Sequence, residues 1–194
     1  MFDRFPHVVM MMTLVGLSAV GLAQGPALPQ PMSSSVSTEH DFDFLLGDWE
    51  FAAASKVPGV PPKYQGRWTG ERIGDGTLVE DDFTALDDRG NRVYLGVTVR
   101  AFDAKAKHWT TAFVEPVRYL EGPVGKWSLG IAWRDGTEVR ESPLDESNRT
   151  RAHFFDIAPD HFSWRMDRST DGGKTWVVDY LRVQARRVGE TTAK

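Results

Sequence analysis

Short stretches in which apolar and polar residues alternate recur along the chain from about residue 47 to residue 188. A period of two is typical of strands that bury one face. Between residues 127 and 133 every second residue is large and apolar, and the stretch runs into Asp135-Gly136, which predicts a tight type I′ hairpin turn. No segment has the apolar periodicity of a long amphipathic helix, and residues 40–46 predict only one short helical turn.

Turn-forming residues such as Gly, Asp and Asn separate these stretches. The predicted strands are residues 49–54, 64–73, 77–86, 93–102, 107–115, 127–133, 137–141, 149–157, 162–168 and 176–188. Short connections favour a meander, and a long meander removes its exposed edges by closing on itself. We therefore predict an all-β fold: a single antiparallel up-and-down β-barrel of eight to ten strands, with a short N-terminal helical turn. A flat sandwich is the alternative architecture.

The first 39 residues have a different character. Residues 8–22 are apolar and uncharged, but they fall short of the roughly 20 residues that a membrane-spanning helix needs. Small residues precede a cleavage point after Ala23, which is the layout of a signal peptide. We predict a signal peptide over 1–23, a flexible Pro/Ser-rich leader over 24–39 and the barrel domain over 40–190. The protein would then be secreted or periplasmic, without a stable membrane anchor; an uncleaved anchor is the alternative.

Composition narrows the function. The 194 residues include no Cys, which excludes disulfides, thiolate catalysis and Cys-ligated metal sites. The net charge of −4 gives no basic excess for binding nucleic acid. Seven Trp and eleven Phe are many for this length and suit a large core or a cavity lining.

Two motifs carry a resemblance. Residues 40–50 read HDFDFLLGDWE, and residues 171–176 read DGGKTW ahead of a long final strand. Together with Phe102-Asp103 and Lys107-His108-Trp109 between them, they resemble an uncharacterised bacterial family of lipocalin-like (calycin) barrels that open with D-F-D-F-x-x-G-x-W. The resemblance covers roughly residues 40–188. It implies a calycin fold in which Trp49 plugs one end beside the N-terminal turn, and it implies no settled activity.

Fatty-acid-binding barrels and nitrobindins are more distant calycin relatives by the same opening. Nitrobindins bind haem and continue their opening as G-x-W-x-G-x-G, whereas residues 47–52 here read GDWEFA and lack the later glycines. We therefore expect no cofactor, with haem as a minor alternative for which His153 or His161 would be the axial ligand. The His residues form no metal-binding motif, so we expect no metal site.

Residues 169–176 also match the S-x-D-x-G-x-T-W Asp-box of sialidase propellers. Propellers carry several copies at regular spacing, and this chain has one. We interpret it as a hairpin staple in which Asp171 and Ser169 bind the turn backbone and Trp176 anchors the hairpin in the core.

Charged residues on the predicted strands offer two further candidates. Glu80 and Asp82 share a strand face about 7 Å apart, which suits paired acid–base work, although a solvated face is the simpler interpretation. In a closed barrel, one acid of the 80–82 group could point inward opposite an Arg. An inward Arg would also suit a carboxylate headgroup, and the candidates are Arg100, Arg165 and Arg182.

The leading functional hypothesis is a barrel that binds a small apolar or amphipathic molecule. The alternatives are an enzyme, such as a hydrolase or isomerase, that uses the same cavity, or a structural protein with a filled core. No nucleophile elbow, phosphate loop or dinucleotide fingerprint occurs, and whether the protein is an enzyme stays open, as does its oligomeric state. The candidate ligand-binding residues are Tyr94, Trp109, Phe113, Trp127, Trp133 and Trp164.

Overall fold

A computed structural model of the chain describes residues 36–117, 127–145 and 150–189. A 3-10 turn over Asp43–Leu45 precedes ten strands. The strands are β1 (Gly47–Ser55), β2 (Lys63–Ile73), β3 (Leu78–Leu86), β4 (Arg92–Asp103), β5 (His108–Val117), β6 (Ser128–Asp135), β7 (Glu138–Pro143), β8 (Thr150–Phe155), β9 (His161–Arg168) and β10 (Val177–Arg187).

Each strand pairs antiparallel with its neighbours in sequence, and β1 also pairs with β10 to close the sheet. The prediction of a single up-and-down antiparallel barrel is confirmed, with ten strands and one short N-terminal turn. The sandwich alternative is wrong, because one closed sheet contains every strand of the described chain.

The 3-10 turn closes one end of the barrel. Phe42 and Leu45 are fully buried beneath it, and Trp49 retains only 1% of its surface. The Trp49 Nε1–H donates to the carbonyl of Leu45 at 2.9 Å, and the guanidinium of Arg187 lies 4.1 Å above the indole ring. Trp49 thus lies where the resemblance places it, and we call this end the plugged end.

Residues before His40 also pack on the plugged end. The backbone N–H of Arg134 donates to Ser37 Oγ at 2.7 Å, and Trp109 Nε1–H donates to the carbonyl of Thr38 at 3.1 Å. The folded domain therefore begins by Ser37, inside the segment that the sequence assigned to a flexible leader. The predicted signal peptide and leader residues 24–35 lie outside the described residues.

On β4, the set of alternate residues that faces the interior is not the one that a rule of apolar residues inside would predict. Arg100 is buried in the interior, and Tyr94 and Phe102 share its face. The apolar row of alternate residues from Val93 to Val99 therefore faces outward. The register explains this, because Arg100 pairs with Thr111, two positions from the inward-facing Trp109 on β5.

The turn between β6 and β7 lies one residue later than predicted. Asp135 pairs with Glu138, so the two central residues are Gly136 and Thr137. Gly136 has φ 63°, whereas Thr137 is not among the described residues with positive φ. This is the pattern of a type II′ turn, which needs glycine only at its first central position.

The hairpin between β9 and β10 has the predicted internal hydrogen bonds. Asp171 Oδ1 accepts from the N–H of Thr175 at 2.9 Å, and Ser169 Oγ accepts from the N–H of Gly173 at 2.8 Å. The expectation that Trp176 enters the core is wrong. Trp176 is half-buried on the outside, because its ring packs under the guanidinium of Arg151, which lies 4.2 Å above it on the outer face of β8.

Candidate functional site

The plugged half of the interior is filled by aromatic rings. Each of them keeps 4% or less of its surface exposed, and they meet edge to face, as Trp49 and Phe162 do at 4.8 Å between centroids. The rings are Phe42, Trp49, Trp68, Trp109, Phe154 and Phe162. The interior of this half is therefore a packed core.

The other half of the interior, which we call the open half, differs. Apart from the buried Phe51, which stacks on Phe83, its inward-facing large side chains are only partly buried: Tyr64, Phe83, Tyr94, Phe113, Trp164 and Leu181. The strand registers direct these side chains toward the barrel axis. Their accessible surface shows that side chains pack less completely here than in the plugged half. The inward-facing surface of the open half is therefore mostly apolar and incompletely packed.

A buried ionic cluster borders the aromatic core on one side. Arg100 Nη1 donates to Asp81 Oδ2, and Arg100 Nε donates to Glu141 Oε1 at 2.8 Å. Trp68 Nε1–H donates to the other oxygen of Asp81 at 2.6 Å. The Arg100 guanidinium also lies 4.5 Å above the Phe42 ring. Because an unpaired charge in such a place would cost several kcal/mol, these partners explain how Arg100 is tolerated.

The expectation that one acid of the 80–82 group points inward opposite an Arg is confirmed by Asp81 and Arg100. Glu80 and Asp82 lie on the outer face of β3, and Glu80 is directly opposite Glu71 of β2. Partial burial raises the pKa of Glu80 and of Asp82, and neighbouring carboxylates raise them further. As residues of the outer face, they form no acid–base pair inside the barrel.

A second polar pair lies farther into the open half. Tyr94 Oη donates to Glu115 Oε1 at 2.9 Å, from adjacent strands β4 and β5. Both residues are partly exposed. The lining thus combines aromatic rings with a few oriented polar groups.

The six candidate ligand-binding residues divide into three groups. Tyr94, Phe113 and Trp164 belong to the lining of the open half. Trp109 faces inward, but it is 1% exposed and belongs to the packed core. Trp127 and Trp133 do not line the interior, which corrects the expectation: Trp127 is 55% exposed, and Trp133 alternates with Ala132, the inward partner of Trp109.

The other two Arg candidates for a ligand headgroup lie outside. Arg165 and Arg182 are a directly opposed pair on the outer faces of β9 and β10, and both guanidinium groups approach the Phe155 ring. Glu141 was missed by sequence reasoning. The strand that contains it, β7, is short and has no regular alternation of polar and apolar residues, so the sequence did not show which side chains of β7 face inward.

The candidate haem ligands also lie on the outer face. His153 alternates with the buried Phe154 and is paired with Arg140 and Arg165. His161 lies beside Arg186, and its side chain is 42% exposed. Neither imidazole points at the interior of the barrel. Among the described residues, no group of three or more His, Asp or Glu could hold a metal ion.

His153 is unusual because it is buried on an outer face. Burial lowers its pKa below 6.5, and the nearby Arg165 and Arg140 lower it further, whereas hydrogen bonding to Glu138 and the charge of Asp167 oppose the shift. Its Nδ1 lies 3.4 Å from Glu138 Oε2, and its Nε2 lies 3.8 Å from Asp167 Oδ2.

Comparison of the sequence with protein-family models and with curated proteins finds no match. Within the described residues, no helix has the length and apolar character needed to cross a membrane.

Proposed function

We propose that the protein is a calycin-like carrier that binds a small apolar or amphipathic molecule in the open half of its barrel. The observation that carries the proposal is the contrast between the two halves of the interior. Six rings in the plugged half are 4% exposed or less, whereas five inward-facing rings of the open half are partly exposed, although Phe51, which stacks on Phe83, is buried. We interpret this contrast as incomplete filling of the open half by side chains.

The character of the lining supports this class of ligand. Phe83, Phe113 and Trp164 offer flat apolar surface, and a polar cluster stands at the inner boundary of the space. Small-molecule sites have this composition, with mostly apolar walls and few polar groups that fix orientation. The ten-strand closed meander is also compatible with the calycin architecture that the sequence motifs suggest.

The proposal can be tested by placing a larger side chain in the open half of the barrel. Ala152 faces inward from β8 and is partly exposed, so Ala152→Phe should occupy part of the interior. The matched control is Ala52→Phe, because Ala52 is exposed on the outer face of β1. Titration with apolar ligands should change the emission of the partly exposed Trp164 in the wild type and in the control, and the change should be lost in Ala152→Phe.

Native mass spectrometry of the purified protein gives an independent measurement, since a carrier often retains its ligand. Binding that persists unchanged in a folded Ala152→Phe variant would place the ligand elsewhere. Absence of saturable binding for every apolar ligand, together with no retained molecule, would leave a filled-core structural protein as the surviving alternative.

We also propose that the protein acts outside the cytoplasm, in the periplasm or as a secreted protein. Support comes from the apolar, uncharged segment 8–22 and the small residues before the expected cleavage after Ala23. N-terminal sequencing of protein from the extracytoplasmic fraction should begin at Gln24. Recovery of the intact chain, starting at Met1, in the membrane fraction would contradict the proposal.

A further inference from the structure

Of the three Arg candidates from the sequence, Arg100 faces the interior, and its guanidinium is already bound to two carboxylates. Its Nη1 and Nε each donate to a different carboxylate, Asp81 and Glu141. Its side chain is 2% exposed and that of Asp81 is 1% exposed. A ligand entering the open half therefore meets neither the guanidinium nor Asp81 directly.

Glu141 is the member of the cluster that a ligand can reach. Its side chain keeps 17% of its surface, and it faces the interior of a closed barrel. Its cross-strand neighbours are Ala132 on β6 and Ala152 on β8. Ala132 is fully buried, whereas Ala152 is partly exposed, so the accessible surface beside the carboxylate lies toward β8.

The charges of the cluster do not cancel. Asp81 and Glu141 contribute two carboxylates against the single guanidinium of Arg100. A carboxylate in a low-dielectric place is stabilised by an additional cation or hydrogen-bond donor, and charge-assisted hydrogen bonds are the stronger kind. A ligand carboxylate placed beside Glu141 would instead add a like charge to the same site.

We propose that the polar end of the ligand is a protonated amine that binds to Glu141, and that the site rejects fatty acids. This rests on the proposed function, because it assumes that the open half admits a ligand. It reverses the expectation that an inward Arg would select a carboxylate headgroup. The apolar chain of the ligand then lies along Phe83, Phe113 and Trp164 toward the open end of the barrel.

The test uses three ligands with the same alkyl chain: decylamine, decanol and decanoate, titrated at pH 7 below their aggregation concentrations. The amine, like a Lys side chain, is protonated at this pH. We expect wild-type affinity to fall in the order amine, alcohol, acid, with the amine roughly tenfold or more tighter than the acid, as one added charge-assisted contact predicts. Isothermal titration calorimetry and Trp emission are the readouts.

Two variants assign the preference to Glu141. Glu141→Gln keeps the size of the side chain and removes its charge, so the amine should bind no more tightly than decanol. Glu141→Asp keeps the charge and should keep the order of affinities. Glu80→Gln on the outer face of β3 is the matched control and should behave like the wild type.

The outcomes separate the two proposals. Tightest binding of decanoate by the wild type would overturn the amine inference and leave the carrier function standing. Retention of the full amine preference by Glu141→Gln would also overturn the inference, because another group would then recognise the amine. No saturable binding of any of the three ligands would count against the carrier function itself, and the inference would fail with it. The wild-type order alone decides the headgroup class, even if a variant does not fold.

Discussion

At the scale of single residues, position relative to the barrel wall matters more than residue type. Trp49 and Trp176 both follow turn-rich motifs, and each indole N–H donates to a nearby carbonyl, of Leu45 and of Gly173. Trp49 is nevertheless 1% exposed, whereas Trp176 is half-buried outside the wall. The two therefore make very different contributions to stability.

Replacing these residues with Ala should separate the two roles. Trp49→Ala removes a ring packed on Phe162 and under Arg187, so we expect a loss of roughly 3–5 kcal/mol in the free energy of unfolding. Trp176→Ala loses mainly a cation–π contact and one hydrogen bond, so we expect about 1–2 kcal/mol. Urea unfolding measures both. Equal losses for the two variants would show that Trp176 contributes as much to the free energy of unfolding as a buried core residue.

His153 should make stability depend on pH between 7 and 5.5. Burial lowers its pKa in the folded protein below 6.5, so the unfolded chain binds the proton more readily. Its contribution is present above pH 6.5 and is lost as the pH falls below that value. The groups that face it are Glu138 and Arg140 on β7 and Arg165 and Asp167 on β9.

Urea unfolding at pH 7 and pH 5.5 provides the measurement. The wild type should lose more stability over this interval than His153→Gln, which cannot be protonated. His161→Gln, on the same outer face but 42% exposed, is the control and should keep the loss seen in the wild type. The same loss in His153→Gln would assign the pH dependence to other groups.

At the scale of secondary-structure elements, the positions of the strands could be predicted from the sequence. The face of each strand that points into the barrel could not. All ten strands were predicted, because turn residues separate runs of strand-forming residues. On β4, however, both alternate sets contain large apolar residues, so the pattern could not tell which set faces inward. On β6 the alternation is clean but misleading: the large apolar set, which includes Trp133, faces outward, as the pairing of Ala132 with the inward-facing Trp109 shows.

The β9–β10 hairpin gives a prediction at this scale. Hydrogen bonds from the Thr175 side chain, the Thr175 backbone and Ser169 lower the pKa of Asp171 from 3.8 to about 2. A lowered carboxylate pKa stabilises the fold above pH 3.8, and this stabilisation is lost as the pH falls through about 2. Asp171→Asn should therefore speed amide hydrogen exchange in residues 169–176 at pH 7.

Asp88→Asn, in the exposed turn between β3 and β4, is the control and should leave exchange in the β9–β10 hairpin unchanged. Unaltered exchange in the Asp171 variant would mean that the carboxylate does not hold the turn together.

At the scale of the whole molecule, the barrel depends on the pairing of its first and last strands. Arg187 near the end of β10 donates to the carbonyl of Leu46, 141 positions earlier, and strands β1 and β10 pair along seven residues of register. Closure of this kind removes both sheet edges at once. The plugged end and the ionic cluster both require it.

Deleting β10 should therefore affect far more than one strand. A chain that ends at residue 168 leaves unpaired edges on β1 and β9, and we expect it to be recovered as aggregates. A chain that ends at residue 189 keeps all ten strands and should be monodisperse and cooperative in thermal unfolding. Size-exclusion chromatography compares the two. A soluble, cooperatively folded chain ending at 168 would show that closure is dispensable.

The site was predictable only in part, for a physical reason. An inward acid opposite an Arg follows from the need to pair buried charges, and Asp81 with Arg100 meets that need. Strand register determines which Arg faces inward and brings Glu141 into the cluster, and it involves strands far apart in sequence. Local patterns contain no such information.

The joining of the first strand to the last also has a consequence for timing during synthesis. β1 cannot acquire its partner on one side until the final segment of the chain has been made. Until that moment the N-terminal part has an open edge and stays unfinished, since non-local pairing is slow and comes late. A chain that cannot complete its fold before its last strand is made stays extended for longer. An export machinery could still thread it in that form, and its open edge would need a chaperone until then.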